Sequence, residues 1–281
     1  NACHKYLGAV PGDSWSLLLP TTHIAGLNVL IRATALGTRV IDNRNTNNYV
    51  DADFISVVPT QLQKALSGDE RLLEHLTAAE AVLVGASALS DKLKKEAASK
   101  HIKVISTYGM TEMSGGCVYN QKPLDGVEIK VNSEGLIQLT GPMLATGYLD
   151  EKGNNMEISN SGWFESNDLG EFVNGSLKVV GRADDVINSG GVKISLSDVE
   201  AQINKIIPTA EIITFSMPDD KWGQMLCLAS TTAVDLVKIK AALGPVLTPK
   251  SSFVFQSIPR TTLGKPDRIM AAEIAKKIET K

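Results

Sequence analysis

The chain has 281 residues, 43% of them hydrophobic and 21% charged, an ordinary globular mix long enough for two domains. Its 28 Lys and Arg against 31 Asp and Glu give a net charge of −3, which argues against a nucleic-acid surface or a solvating acidic tail. Short, interrupted apolar runs exclude a membrane span, and three scattered cysteines and four histidines without ligand spacing predict a reduced, cytoplasmic chain with no zinc site.

In chain order, Trp15 to Leu19 reads as a buried strand ending at Pro20. Ile24 to Leu36 reads as a helix and Thr38 to Ile41 as the next strand. Phe54 to Val58 is a strand running into Pro59, which suits the first position of a helix that stops at Gly68. Ala81 to Val84 is another strand, Ser90 caps a helix from Asp91 to Lys100, and Val104 to Ser106 follows as a strand. Strands separated by helices of this length predict a mostly parallel sheet. After Gly109 the pattern turns to antiparallel β. Val127 to Val131 and Leu136 to Thr140 flank a Ser-Glu-Gly turn, and Glu171 to Val173 and Leu177 to Val180 flank Asn174-Gly175, whose residues tolerate positive φ.

Gly181 to Asp185 reads as a boundary between a large domain at 1–182 and a small α+β domain at 183–281. There Ser197-Asp-Val-Glu200 is a capping box opening a helix to Ile207. Strands are predicted at Glu211 to Ser216, Leu226 to Thr231 and Phe253 to Gln256, and helices near Leu236 to Leu243 and Arg268 to Ile278.

Four polar, Gly-rich segments break this pattern. Ser106-Thr-Tyr-Gly-Met-Thr-Glu112 follows a buried strand, at the sheet edge where open α/β folds bind ligands. There Thr111 could donate to a phosphate, Glu112 could hold Mg²⁺ and Tyr108 could stack on a base; a solvated loop with Gly109 in a turn is the plainer alternative. In Gly162-Trp-Phe-Glu-Ser-Asn-Asp-Leu-Gly170, Asp168 could accept from a ribose diol or form an ordinary Asx-turn. Gly181-Arg-Ala-Asp-Asp185 puts Arg182 and Asp184 at the inferred boundary, and Gly190-Gly191 offers either a bare backbone to a thin ligand or a simple β-turn. Pro259 to Arg268 carries Lys265 just before the last helix.

In type and order, Tyr108-Gly-Met-Thr-Glu112, Asp168-Leu-Gly170, Gly181-Arg-x-Asp-Asp185 and Gly264-Lys265 resemble the signatures of the adenylate-forming superfamily of acyl-CoA synthetases, luciferases and peptide-synthetase adenylation domains. The pieces Leu19 to Leu27, Leu30 to Ala33, Val58 to Leu62, Val84 to Leu89, Gly115 to Tyr119 and Pro123 to Gly126 are similar to the short actinobacterial o-succinylbenzoate–CoA ligases of menaquinone biosynthesis.

The resemblance implies an α/β fold: a large domain with a mostly parallel sheet and an antiparallel β subdomain, plus a small mobile C-terminal α+β domain. It implies a ligase that uses ATP, Mg²⁺ and coenzyme A on a small carboxylic acid, with an acyl-adenylate as intermediate. Lys265 would then act in adenylation, Glu112 would hold Mg²⁺, and Thr111 would hold the α-phosphate. Tyr108 and Gly109 would border the nucleotide, Asp168 and Arg182 would grip the ribose, and Asp184 would be the hinge. Gly190 and Gly191 would line the pantetheine path, while His23, Gly85, Ala86 and Ser87 would border the acyl group. Arg32 is a conceivable partner of the ring carboxylate, or a side chain that snorkels from a surface helix.

Many relatives carry Thr-Gly-Asp where this chain has Ser166-Asn167-Asp168, and a second Gly in the Gly85-Ala86 region. Nothing in Asn1 to Asp13 matches the family's phosphate loop, and the first residue is not Met. The expectation is therefore an N-terminally truncated ligase that adenylates poorly by itself. A ligase for another aryl or fatty acid, and a nucleotide-binding remnant without turnover, are the alternatives.

Overall fold

Strict alternation along the strands sets the layering. The structure, a computed structural model, describes residues 2–46, 48–208, 210–260 and 266–279 and divides into two compact units, Asn1–Val180 and Gly181–Lys281. The first is built on β1 (Trp15–Leu17), β2 (Ile41–Asp42), β3 (Phe54–Val57), β4 (Ala81–Val84), β5 (Val104–Met110), β6 (Gly115–Tyr119) and β7 (Lys122–Pro123), in the order β2-β1-β3-β4-β5-β6-β7. Pairing is parallel from β2 to β5 and antiparallel from β5 to β7. Every residue of β3 and β4 is buried, as a sheet covered on both faces requires.

Trp15, Leu17, Phe54, Ala81 and Leu83 enter one core, while Ile55, Val57, Val82 and Val84 enter the other. The helices α1 (Ala2–Leu7), α2 (Ile24–Ala35), α3 (Pro59–Leu66), α4 (Glu70–Ala78) and α5 (Asp91–Ser99) supply much of the covering. Helix α4 is absent from the sequence reading; its missed signal is Asp69, whose side chain accepts from the Leu72 amide and caps it. The strand expected at Thr38 to Ile41 forms at Ile41–Asp42, where the backbone pairs with Ser16 and Leu17 of β1.

The unit continues with β8 (Glu128–Val131), β9 (Leu136–Thr140), the short pair β10 (Tyr148–Leu149) and β11 (Asn155–Met156), β12 (Phe164–Val173) and β13 (Ser176–Arg182). Strands 13, 12, 9 and 8 make a four-stranded sheet in that order. Its β12–β13 turn has Asn174 at φ 53° and Gly175 at φ 69°, as a tight two-residue hairpin demands.

The second unit contains β14 (Val186–Ser189), β15 (Val192–Ser195), α6 (Leu196–Ile206), β16 (Ile212–Asp219), β17 (Gly223–Ser230), α7 (Leu236–Leu243), β18 (Ser251–Val254) and α8 (Arg268–Glu279). Its sheet runs β15-β14-β17-β16, with β18 added in parallel on β17. Alternation again splits the core: Ile212, Leu226 and Leu228 face α6 and α7 residues, whereas Ile213, Cys227 and Ala229 share a cluster with Ala271 and Ala275 of α8. The cap of α6 is Ser195, whose Oγ accepts from the Asp198 amide at 3.2 Å, and not the expected Ser197. The reason is continuity, because β15 runs straight into the helix and Ser195 occupies its last extended position.

Candidate active site

The candidate residues of the first unit gather at the carboxyl ends of the parallel strands. His23 follows β1 as the N-cap residue of α2; it is exposed, and its side chain makes no cap hydrogen bond. Gly85, Ala86 and Ser87 follow β4 directly. Gly85 leaves room for the neighbouring strand, since a Cβ would lie 2.3 Å from Thr107 Oγ1 and force that side chain to move. Ala86 takes φ 69°, an uncommon conformation for a residue with a side chain.

The segment expected as a loop at Ser106 to Glu112 is strand as far as Met110, paired antiparallel with β6. The pairing is close: a Cβ on Gly109 would fall 1.9 Å from the Gly115 carbonyl oxygen, so the glycine serves the hairpin. Thr111–Met113 then forms one 3-10 turn, closed by Ser114 at φ 54°. The Asn28 amide of α2 donates to the Ser114 carbonyl at 2.7 Å and ties that helix to the turn.

Tyr108 lies on β5, and its hydroxyl donates to Asp168 Oδ2 at 2.8 Å. Burial, followed by the adjacent Asp168 carboxylate, pushes the phenol well above the usual tyrosine range, so it remains a donor at neutral pH. Asp168 is not in a loop but on β12, where the register shifts between Glu165 and Leu169. Ser166 holds this bulge: its Oγ donates to the Ile137 carbonyl at 2.8 Å and accepts from the Asp168 amide at 3.2 Å.

Glu112 is half-buried on the turn and accepts from the Tyr148 hydroxyl at Oε1. That hydrogen bond is the main reason the Tyr148 phenol is pushed up to about 12. No lysine or arginine among the described residues pairs with Glu112. A sheltered carboxylate without a cationic partner suits a hard divalent cation, so the donor present fits Mg²⁺. Thr111 stands exposed beside it.

In the second unit, Arg182 grips Asp184 through Nε at 2.8 Å and Nη2 at 2.6 Å. This fork holds the Asp184 carboxyl below the usual carboxylate range. Gly190 and Gly191, at φ 61° and 83°, form the two-residue turn between β14 and β15. Lys265 lies outside the described residues.

Residues 1–149 match the family model described as AMP-binding enzyme. A probable 2-succinylbenzoate–CoA ligase of Mycobacterium tuberculosis (strain CDC 1551 / Oshkosh) is 32% identical over 293 residues, an alignment covering 95% of this chain and 76% of that protein. The chain belongs to the AMP-binding enzyme family. A 2-succinylbenzoate–CoA ligase of Listeria monocytogenes is 27% identical, with 93% of this chain and 62% of that protein covered. The o-succinylbenzoate CoA synthetase of Bacillus subtilis in complex with the acyl-adenylate intermediate OSB-AMP superposes with a TM-score of 0.81 at 26% identity, covering 96% of this chain and 63% of that one. The same Bacillus enzyme in complex with ATP and magnesium ion gives 0.80 at 26% identity, covering 95% and 63%. The chain thus spans about three-quarters of the Mycobacterium relative and less than two thirds of the Listeria and Bacillus ones.

In this AMP-binding enzyme Arg32 does not snorkel to solvent. It is buried, donates through Nη2 to the Tyr119 hydroxyl at 3.1 Å and lies over the Trp15 ring, 5.0 Å from its centroid. The face of α2 that carries it points into the core beside Val29 and Ala33. Ser166, Tyr148 and Arg268 were missed by sequence reasoning. Arg268 Nε bonds Asp185 at 2.6 Å and its Nη1 bonds Glu200 at 2.8 Å and the Thr214 carbonyl at 2.6 Å. No local pattern marks Tyr148 or Arg268, whose partners lie 36 to 83 residues away in sequence, and Ser166 has a local partner in the Asp168 amide but bonds Ile137 across 29 residues.

Proposed function

We propose that the activity this chain serves is AMP-forming acid–CoA ligation, most specifically of 2-succinylbenzoate, in the cytoplasm. The observation that carries this reading is the Tyr108–Asp168 hydrogen bond, which joins the β5–β6 hairpin, four residues before Glu112, to the β12 bulge. The family membership and the substrate in the names of the relatives support it.

In the first half-reaction a carboxylate oxygen attacks the α-phosphorus of ATP, the bond to the bridging oxygen breaks, and pyrophosphate leaves. Charge then builds on the α-phosphate and the leaving group, and donors placed there lower the barrier. Thr111 donates to the α-phosphate, and Glu112 would hold Mg²⁺, which when bound would neutralise charge on the phosphate oxygens. Asp168 and Arg182 hold the ribose hydroxyls, Tyr108 and Gly109 border the base, and Lys265 neutralises the reacting oxygens. His23, Gly85, Ala86 and Ser87 border the acid. In the second half-reaction the sulfur of coenzyme A attacks the acyl carbon, the bond from that carbon to the phosphate oxygen breaks, AMP leaves and the thiol proton passes to solvent; Asp184 serves as the hinge and the Gly190-Gly191 turn borders the path of the thiol.

ATP–pyrophosphate exchange with 2-succinylbenzoate, other aryl acids and fatty acids tests the reading. Exchange dependent on 2-succinylbenzoate, lowered on the order of 10²-fold or more in Glu112→Gln and Lys265→Ala, is the expected result. Exchange with another acid alone would reassign the substrate.

A further inference from the structure

The main chain on either side of Glu112 is strapped to the segment that precedes β10. Ser114 Oγ donates to the Met143 carbonyl at 2.7 Å, and the Ala145 amide donates to the Glu112 carbonyl at 2.8 Å. Gly147 then lets the chain pass β11 closely, since a Cβ there would lie 2.2 Å from Asn155 Oδ1 and 2.4 Å from the Met156 carbonyl. Tyr148, paired with Met156, is delivered by this route to Oε1 of Glu112.

The phenol fills no core, because 49% of Tyr148 is exposed. Its described contact of chemical consequence is the carboxylate. No described residue donates to Oε2, so one oxygen of Glu112 is fixed and the other is left open. A carboxylate held by one outer donor has its plane and rotamer set before a cation arrives, and loss of such donors typically weakens metal binding about 10–100-fold.

We propose that Tyr148 is a positioning residue that holds Oε1 of Glu112 and thereby presents Oε2 to the divalent cation bound with the nucleotide. The inference rests on the reading of Glu112 given above. It is tested on the full chain with Tyr148→Phe, which removes one oxygen from a half-exposed ring, and with Glu112→Gln as reference. Mn²⁺ binding in the presence of ATP, followed by electron paramagnetic resonance, reads cation affinity without turnover.

The expected result is about a tenfold or greater loss of Mn²⁺ affinity in Tyr148→Phe, with an unchanged melting temperature and unchanged affinity for metal-free ATP. Wild-type affinity in Tyr148→Phe together with weakened binding in Glu112→Gln would overturn the positioning role alone. Tighter binding in Tyr148→Phe would show competition with the cation and overturn it equally. Unchanged binding in Glu112→Gln would remove the ligand role of Glu112 and the inference with it.

Discussion

Ala86 bears a Cβ in a left-handed conformation, which costs an L-residue about 1–2 kcal/mol relative to the right-handed region. Glycine removes that strain and returns part of the gain through the greater freedom of the unfolded chain. Ala86→Gly should stabilise the first unit by about 0.5–1 kcal/mol, seen as a higher urea midpoint at constant slope. His75 gives a second expectation at this scale. It is buried, stacked on Tyr49 with centroids 4.9 Å apart, and its Nε2 lies 2.9 Å from Ser16 Oγ. Burial holds its pKa below the ordinary histidine value, and the exposed Asp51 only partly opposes this. The folded chain therefore binds this proton less readily than the unfolded one. Stability is complete above the unfolded pKa of about 6.5 and is lost as pH falls below it. His4, lowered chiefly by burial, works in the same direction. The melting temperature should drop between about pH 7 and about pH 5.5, and His75→Gln should flatten that slope; a melting temperature that rises on acidification would contradict the assignment.

The β14–β15 hairpin shows how one element can carry two separable demands. Both turn glycines need positive φ, but their surroundings differ. A Cβ on Gly190 would lie 2.5 Å from Cε3 of Trp222, whereas nothing stands within 4 Å of one on Gly191. Gly190→Ala should therefore displace the Trp222 ring and destabilise the second unit by about 1–3 kcal/mol, reported by tryptophan fluorescence and a denaturant titration. Gly191→Leu meets backbone strain without a clash. On the proposed function it should suppress thioester formation while sparing pyrophosphate exchange, and an equal loss in both half-reactions would refute a place for Gly191 on the thiol path.

At the scale of the molecule, the second unit is joined internally by Arg268. This one guanidinium, at the start of α8, binds Asp185 before β14, Glu200 of α6 and the Thr214 carbonyl of β16. Its side chain is 20% exposed, against 15% for Asp185 and 16% for Glu200, so cutting it away leaves two sheltered carboxylates without their cation. Arg268→Ala should cost about 3–5 kcal/mol in that unit. Trp222 is the single tryptophan of the second unit, and Trp15 and Trp163 belong to the first. The Trp222 transition should shift to lower denaturant in this variant while the transition reported by the other two stays in place. A joint shift of both would show that the two units do not unfold independently.

Much of this architecture was legible before any coordinates. Apolar runs bounded by Pro59, Gly68 and Ser90 marked the strands and helices of the parallel sheet, and Asn174-Gly175 marked a hairpin, because each depends on backbone preferences within a few residues. The motif residues Tyr108, Glu112 and Asp168 were legible by type and order. Their setting was not. That β5 runs on through Tyr108, that Asp168 sits on a bulge pinned by Ser166, and that Arg32 turns inward onto Trp15 all follow from pairings between distant segments. Local sequence determines which conformations a segment prefers and which face is apolar. Which donor meets which acceptor is decided only when folding brings together backbones far apart in the chain, and the hydroxyl of Tyr148 acquires its meaning from Glu112 in that step alone.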